Sequence, residues 1–404
     1  MTKWLFRILR ILFAAGGLLI IVVMIDFQDM VVVPDKTILD DGTTTEGPTH
    51  LAVLAGDLSG QAGDVTLLIR YSDSGPVTHI FAASGLGVGE TDFQPRPGII
   101  TMLRGCDPAL LVAGLFMVLP AYLIGAVRWW LLMRCRRLEV SVWRTIRLAW
   151  VGNFFNFCMP GTTGGDLVKA YYAAKRSDRR ADTLVSIVVD RVTGLVGLLV
   201  LASVAGLFMW RDPVVARVTT ILGLGAVGLA VAALVYFTPP LRRRLGFDWV
   251  LARLPGRRLF KSIDEAAVAY RHHKVVVAVA VGMSVGVHAC LATATGLAGY
   301  ALGVGTALGV LLNIVPILFL AGAVPLTYQG LGVMEWLATT MILDPPATTA
   351  NQVVGMLLLV RLFQVVWAML GSVFLLKGDI HMHPPKESDE ATERRSDEGM
   401  GAEA

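Results

Sequence analysis

Long apolar runs dominate this chain, and short polar stretches rich in Lys and Arg punctuate most of them. Six runs read as membrane-spanning helices: residues 11–25, 110–127, 184–209, 218–237, 275–298 and 353–376. Lys3, Arg7 and Arg10 precede the first run, and "DFQDMVVVP" after it lacks a small-residue cleavage pattern. It therefore reads as an uncleaved anchor with its N-terminus inside.

Two further apolar segments do not fit simple spanning. Residues 148–159 give about 12 apolar positions before Pro160, where a full span needs about 20. Pro160, Gly161, Thr162, Thr163, Gly164, Gly165 and Asp166 then interrupt any regular helix. Both flanks are basic: Arg144 and Arg147 before, and Lys169, Lys175, Arg176 and Arg179 after. Both ends are expected on the cytoplasmic side, which predicts a re-entrant pair of half-helices. The second segment is 302–324, followed by "PLTYQGLGVMEW" and a short run ending at 343. Its flanks carry no Lys or Arg, so it is expected to re-enter from outside. The predicted fold is an all-α polytopic membrane protein with about six full spans and two re-entrant helical pairs. Counting those pairs as crossings gives ten, with the same cytoplasmic N- and C-termini.

Composition agrees with a membrane protein. Hydrophobic residues make up 55% and charged residues only 16%, with mean hydropathy +0.64. Soluble domains carry about 25% charged residues. Residues 241–274 hold nine Lys/Arg against three acids and should be cytoplasmic. Residues 27–107 hold four Lys/Arg against eleven acids, which suits an extracytoplasmic segment. There "THLAVLAG", "VTLLIRYS" and "THIFAAS" alternate weakly between turn residues and read as short strands of a small β-rich insert. The domains expected are thus an anchor (1–26), this insert (27–107), a transmembrane domain (108–376) and a disordered acidic cytoplasmic tail (377–404). Cys106, Cys135, Cys158 and Cys290 are far apart and imply no disulfide framework.

The two interruptions resemble each other. Pro160, Gly164, Gly165 and Asp166 are followed by Arg191; Pro325, Gly330, Gly332 and Glu335 are followed by Arg361. Acid and arginine are 25 residues apart in one and 26 in the other. Each arginine lies roughly 10–12 Å into its span at the helical rise, one approaching from each side. Interrupted segments at corresponding positions are the mark of an inverted-topology repeat with its binding site at the breaks.

The chemistry follows from depth. Irregular backbone inside a membrane survives only in a protein interior or beside a wet cavity. Thr162 or Thr163 can cap a half-helix starting near Gly164, whose N-terminus would favour a phosphate. Asp166 and Arg191 are costly alone and should pair, as should Glu335 with Arg361. Asp190 is adjacent to Arg191 and points about 100° away, so those two do not satisfy each other. Such pairs either staple helices together or exchange partners with a charged headgroup. Lys169 is an interfacial anchor or a first contact for an anion. Asn156, on the approach to the first break, completes the candidate set.

Other signals point away from chemistry. "GLGAVG" at 223–228 matches a nucleotide-loop pattern but lies inside an apolar run, and reads as helix-packing glycine. His272, His273, His381 and His383 lack further ligands at metal spacing. No metal, cofactor or catalytic residue is expected, and no nucleic-acid partner.

"RWWLLMRC", "FFNFCMPGTTGGDLVKAYYAAKR", "VVDRVTGL" and "GLGVMEW" together resemble the lysylphosphatidylglycerol synthase transmembrane region family, over about residues 108–376. The resemblance implies a flippase-like protein of the bacterial cytoplasmic (inner) membrane, moving a lipid with a phosphate-containing headgroup between leaflets. The soluble aminoacyltransferase domain of the synthases has no counterpart in the tail, so enzymatic activity is not implied. The insert at 27–107 departs from the family pattern. Expected partners are membrane lipid and either a second copy of the chain or a separate lipid-modifying enzyme. The competing readings are a scaffold presenting the insert and a secondary transporter of a small anionic solute.

Overall fold

The computed structural model describes residues 25, 30–33, 49–55, 66–69, 94–96, 98–158, 164–175, 179–208, 211, 213–238, 244, 264–265, 268–323, 327–342 and 348–376. The run at 11–25 (save Ile25), the stretch "THIFAAS" and the tail at 377–404 lie outside them. So do Pro160, Gly161, Thr162, Thr163 and Pro325.

Four strands, β1 (Met30–Val33), β2 (Thr49–Ala55), β3 (Thr66–Ile69) and β4 (Gln94–Arg96), pair antiparallel in the order β3-β2-β1-β4. Everything described after them is helical: α1 (Ile99–Arg104), α2 (Pro108–Cys135), α3 (Val142–Cys158), α4 (Gly164–Lys175), α5 (Arg180–Phe208), α6 (Pro213–Phe237), α7 (Lys274–Ala301), α8 (Leu308–Ala323), α9 (Val333–Ile342), α10 (Ala350–Ala368) and α11 (Leu370–Leu376). Short 3-10 turns at Tyr270–His273 and Tyr328–Gly330 lead into α7 and α9.

Four helical stretches are long and apolar enough to cross a membrane: Pro108–Cys135, Arg180–Phe208, Tyr270–Ala301 and Ala350–Leu376. They coincide with four of the six expected runs. The run at 218–237 is helical as part of α6, with a shorter apolar stretch, Thr219–Leu229, among its described residues.

Local chemistry sets the helix ends. Asp107 caps α2, accepting from the Ala109 amide at 2.8 Å, with Pro108 in the first turn where its missing N–H costs nothing. Thr349 and Gln352 form a reciprocal capping box on α10, and Gln352 also donates to the Leu302 carbonyl at 2.9 Å. At the other end of α2 the Leu138 amide reaches back to Met133 and the Arg137 amide to Arg134. This is a Schellman closure, and its left-handed position is usually glycine. Here it is Arg137, at φ +57°. A side chain in that conformation costs roughly 1–2 kcal/mol.

Helix α7 is the centre of the bundle and packs against α2, α5, α8 and α10. Its small residues Ala292, Ala294 and Ala298 are fully buried and let neighbouring backbones approach. Around them Val118, Leu311, Ile314, Leu318, Met356 and Leu357 form the main core.

Each interrupted segment folds back on itself as a helical hairpin. In the first, α4 lies against α3 so closely that a Cβ on Gly165 would collide with the Gly152 carbonyl oxygen. In the second, α9 returns along α8, with Gly330 (φ +72°) against Gly322 and Met334. The short C-terminal helix α11 leaves α10 and docks on α3. The glycines of "GLGAVG" differ from expectation. Among the described residues a Cβ on Gly223, Gly225 or Gly228 would meet nothing within 4 Å, so no close contact there requires glycine.

Candidate functional site

The first hairpin places Asp166 in the opening turn of α4, where its carboxylate is held from two sides. The Arg191 guanidinium of α5 forms a close ion pair with Oδ2, and Lys169 Nζ lies 3.5 Å from Oδ1. Lys169 is not spread toward a surface. It packs along Gly152 and sits over the Trp129 ring at 5.9 Å, mostly buried. The Asp166 carboxylate is 14% exposed, whereas Arg191 is 51% exposed. The pair is therefore sealed on its acid side and open on its base side.

The second hairpin repeats the pairing with the opposite access. Glu335 in the first turn of α9 is completely buried. Its Oε2 accepts the Gly332 amide at 2.8 Å, and Oε1 lies 3.0 Å from Arg361 Nη2 on α10. Arg361 also points Nη2 at the Met334 sulfur at 3.3 Å. Its side chain is only 14% exposed.

The two hairpins touch beside their breaks. Asn156, in the last turn of α3, accepts the Gly165 amide through Oδ1 at 2.9 Å, and its backbone carbonyl accepts from Gln329 Nε2 at 2.6 Å. One residue thus caps the first hairpin and ties it to the second. Gln329 itself sits at φ +50° beside Gly330 and Gly332, which are also left-handed. This changes one expectation. The helix end near Gly164, foreseen as a phosphate seat, has its Gly165 amide taken by Asn156, and in the second hairpin the Gly332 amide is taken by Glu335. The exposed guanidinium of Arg191, rather than a bare helix end, is the group that presents positive charge.

Asp190 has a partner of its own. Arg128 Nε donates to Asp190 Oδ1 at 2.8 Å, and Arg128 Nη1 donates to the Ser284 hydroxyl at 2.6 Å. This buried triad joins α2, α5 and α7. His288, one turn beyond Ser284, sets Nε2 3.1 Å from the Gly194 carbonyl. Nearer the helix ends, Asp182 is clasped by Arg136 at 2.6 Å and Arg179 at 2.9 Å. Arg128 lies in "RWWLLMRCRR", a stretch whose aromatic and basic composition reads as a membrane border. Instead α2 continues through it, and Arg128 and Trp129 are buried. The spacing of Arg128 within the helical run carried the signal: it precedes the border arginines by six or more residues.

The arrangement is that of a polytopic helical membrane protein with two broken hairpins meeting inside the bundle, each pairing its carboxylate with an arginine of the helix that follows. The chain belongs to the lysylphosphatidylglycerol synthase transmembrane region family, whose sequence profile matches residues 96–371. It is also 28% identical over 180 residues to a UPF0104 membrane protein of Pyrococcus horikoshii, a match covering 44% of this chain and 52% of that relative. The chain thus matches about half the length of that curated relative.

Proposed function

We propose that this protein moves a lipid with a phosphate-containing headgroup between leaflets of the bacterial inner membrane, without covalent chemistry. The observation that carries the reading is the Asn156–Gln329 junction of two broken hairpins, flanked by one half-open and one sealed acid–arginine pair. Ionisable groups at membrane depth mark substrate paths. Paired breaks are where transporters of inverted-repeat construction bind.

In this mechanism Arg191 is the acceptor. A lipid phosphate reaching it competes with the Asp166 carboxylate, and Lys169 compensates Asp166 while its partner is engaged. The polar lining that forms as the hairpins part lowers the cost of carrying the headgroup through hydrocarbon. Glu335 and Arg361 stay together in this state and would serve as the equivalent site from the other side. The hairpins act as re-entrant pairs among six spans. The termini face the cytoplasm and the segment 27–107 faces outward.

The test uses protein reconstituted in vesicles with a fluorescent or short-chain anionic phospholipid. Asp166→Asn with Arg191→Gln should fold and fail to move lipid. Movement at the wild-type rate would show the pair to be a staple and sink the proposal. Uptake of a small anion with no lipid movement would favour a solute carrier. For orientation, cysteines at Ser141, Asp178 and Gly256 should resist an impermeant thiol reagent in intact cells, and one at Ser74 should react. Labelling at 178 would overturn the orientation of the first hairpin.

A further inference from the structure

At the base of the first hairpin, on the far end from its break, lies a cavity of about 370 Å³. It is bounded by the closing turn of α2, the start of α3, the end of α4 and the start of α5. Arg137, Arg144 and Arg179 line it, with Glu139 the single acid among the described lining residues. Below them Met133, Leu138 and Leu148 give it an apolar floor.

Two of these arginines are constrained, Arg179 through its guanidinium and Arg137 through its backbone. Arg179 is held by the Asp182 carboxylate at 2.9 Å and the Arg136 carbonyl at 2.9 Å. Arg137 occupies the left-handed closing position of α2 at φ +57°, where glycine would be the relaxed choice. Arg137 thus lines the cavity from a strained backbone position, and outliers of this kind cluster at ligand clamps. Planar guanidinium groups converging from separate elements suit a tetrahedral oxyanion.

We infer that this cavity binds a phosphate group, from an anionic lipid headgroup or from a free phosphate. The inference rests on the lipid-handling reading only for its place in the route. Thr183 lines the cavity and precedes Arg191 on the same helix by eight residues, about 12 Å at the helical rise. A headgroup seated here stands one helix-length step from the Asp166–Arg191 pair.

The experiment measures binding directly on the purified full chain in detergent, by titration with dihexanoyl-phosphatidylglycerol and, separately, with inorganic phosphate. Arg137→Gly is the informative variant, because glycine accepts the left-handed turn and the fold is kept. It and Arg144→Gln should each weaken binding about tenfold, the loss expected for one charged hydrogen-bonding partner. Arg137→Gly should melt at or above the wild-type temperature. Saturable lipid binding without phosphate binding assigns the site to a headgroup; binding of both with the same losses assigns it to the anion itself. Wild-type affinity in both variants, or no saturable binding of either probe, overturns the inference. Vesicle assays of the same variants separate the two proposals. Lipid movement with unaltered binding in both cavity variants sinks the cavity alone. Intact cavity binding alongside wild-type lipid movement in the Asp166–Arg191 double variant sinks the translocation reading alone.

Discussion

The side-chain amide of Gln329 donates to the backbone carbonyl of Asn156 at 2.6 Å, joining two breaks 173 residues apart in the chain. A neutral hydrogen bond to a backbone acceptor stabilises modestly, by about 0.5–1.5 kcal/mol. That is small enough to break and reform during a cycle and large enough to set which arrangement is populated.

Replacing Gln329 separates the bond from the turn it sits in. Gln329→Ala loses the bond and keeps the left-handed strain at φ +50°. Gln329→Gly loses the bond and relieves the strain. The glycine variant should be the more stable of the two by roughly 1 kcal/mol, seen as a higher unfolding temperature in detergent. Both should alter the rate of lipid movement by a similar factor. Equal melting with unequal rates would mean that the turn, not the bond, is what matters.

The two acid–arginine pairs should respond unequally to loss of a partner. Arg361→Leu strands a fully buried Glu335, and breaking a buried pair costs about 3–5 kcal/mol. Arg191→Leu leaves Asp166 with Lys169 still 3.5 Å away and removes a half-exposed group, so the loss should be nearer 1 kcal/mol. Yield of folded protein by size-exclusion chromatography would rank the two. A reversed ranking would contradict the difference in access between the hairpins.

Arg128, Asp190 and Ser284 form a test of burial independent of any transport. Arg128→Met should be strongly destabilising, by about 3–5 kcal/mol, because it strands Asp190 between helices. Adding Asp190→Asn should recover a large part of that loss. A double-mutant cycle with additive effects would show that the two are not energetic partners.

Glycines divide into two predicted classes. Gly165→Ala drives a methyl into the Gly152 carbonyl and should abolish folded yield. Gly225→Ala meets open space and should be neutral or stabilising, by up to about 1 kcal/mol from helix propensity. Thermal melts of the two variants decide it, and an intact Gly165→Ala protein would contradict the close packing of the first hairpin.

The charged pairs were legible in the sequence because the physics leaves few choices. A lone carboxylate or guanidinium at membrane depth is so costly that Asp166 and Glu335 each had to find a cation, and Arg191 and Arg361 were the ones at matching depth. Arg128 was hidden by its company, since "RWWLLMRCRR" has the same composition whether it lies at a border or inside a bundle. Asn156 and Gln329 could be suspected singly, yet nothing in an uncharged amide fixes which distant carbonyl it will meet. "GLGAVG" misled for a related reason: small residues permit close packing without requiring it.

The docking of α11 on α3 has a consequence in time. The Trp150 indole donates to the Trp367 carbonyl at 3.0 Å, and Gly371 lies so close to the Trp150 carbonyl that no side chain would fit. The first hairpin is thus roofed by residues made more than two hundred positions later. At about 5–20 residues per second, the ribosome needs roughly ten to forty seconds to supply them. Gln329 follows Asn156 by 173 residues, so for most of that interval the Asn156 carbonyl also waits for its partner. The first hairpin therefore reaches its final packing late, and its closure waits on the synthesis of α11.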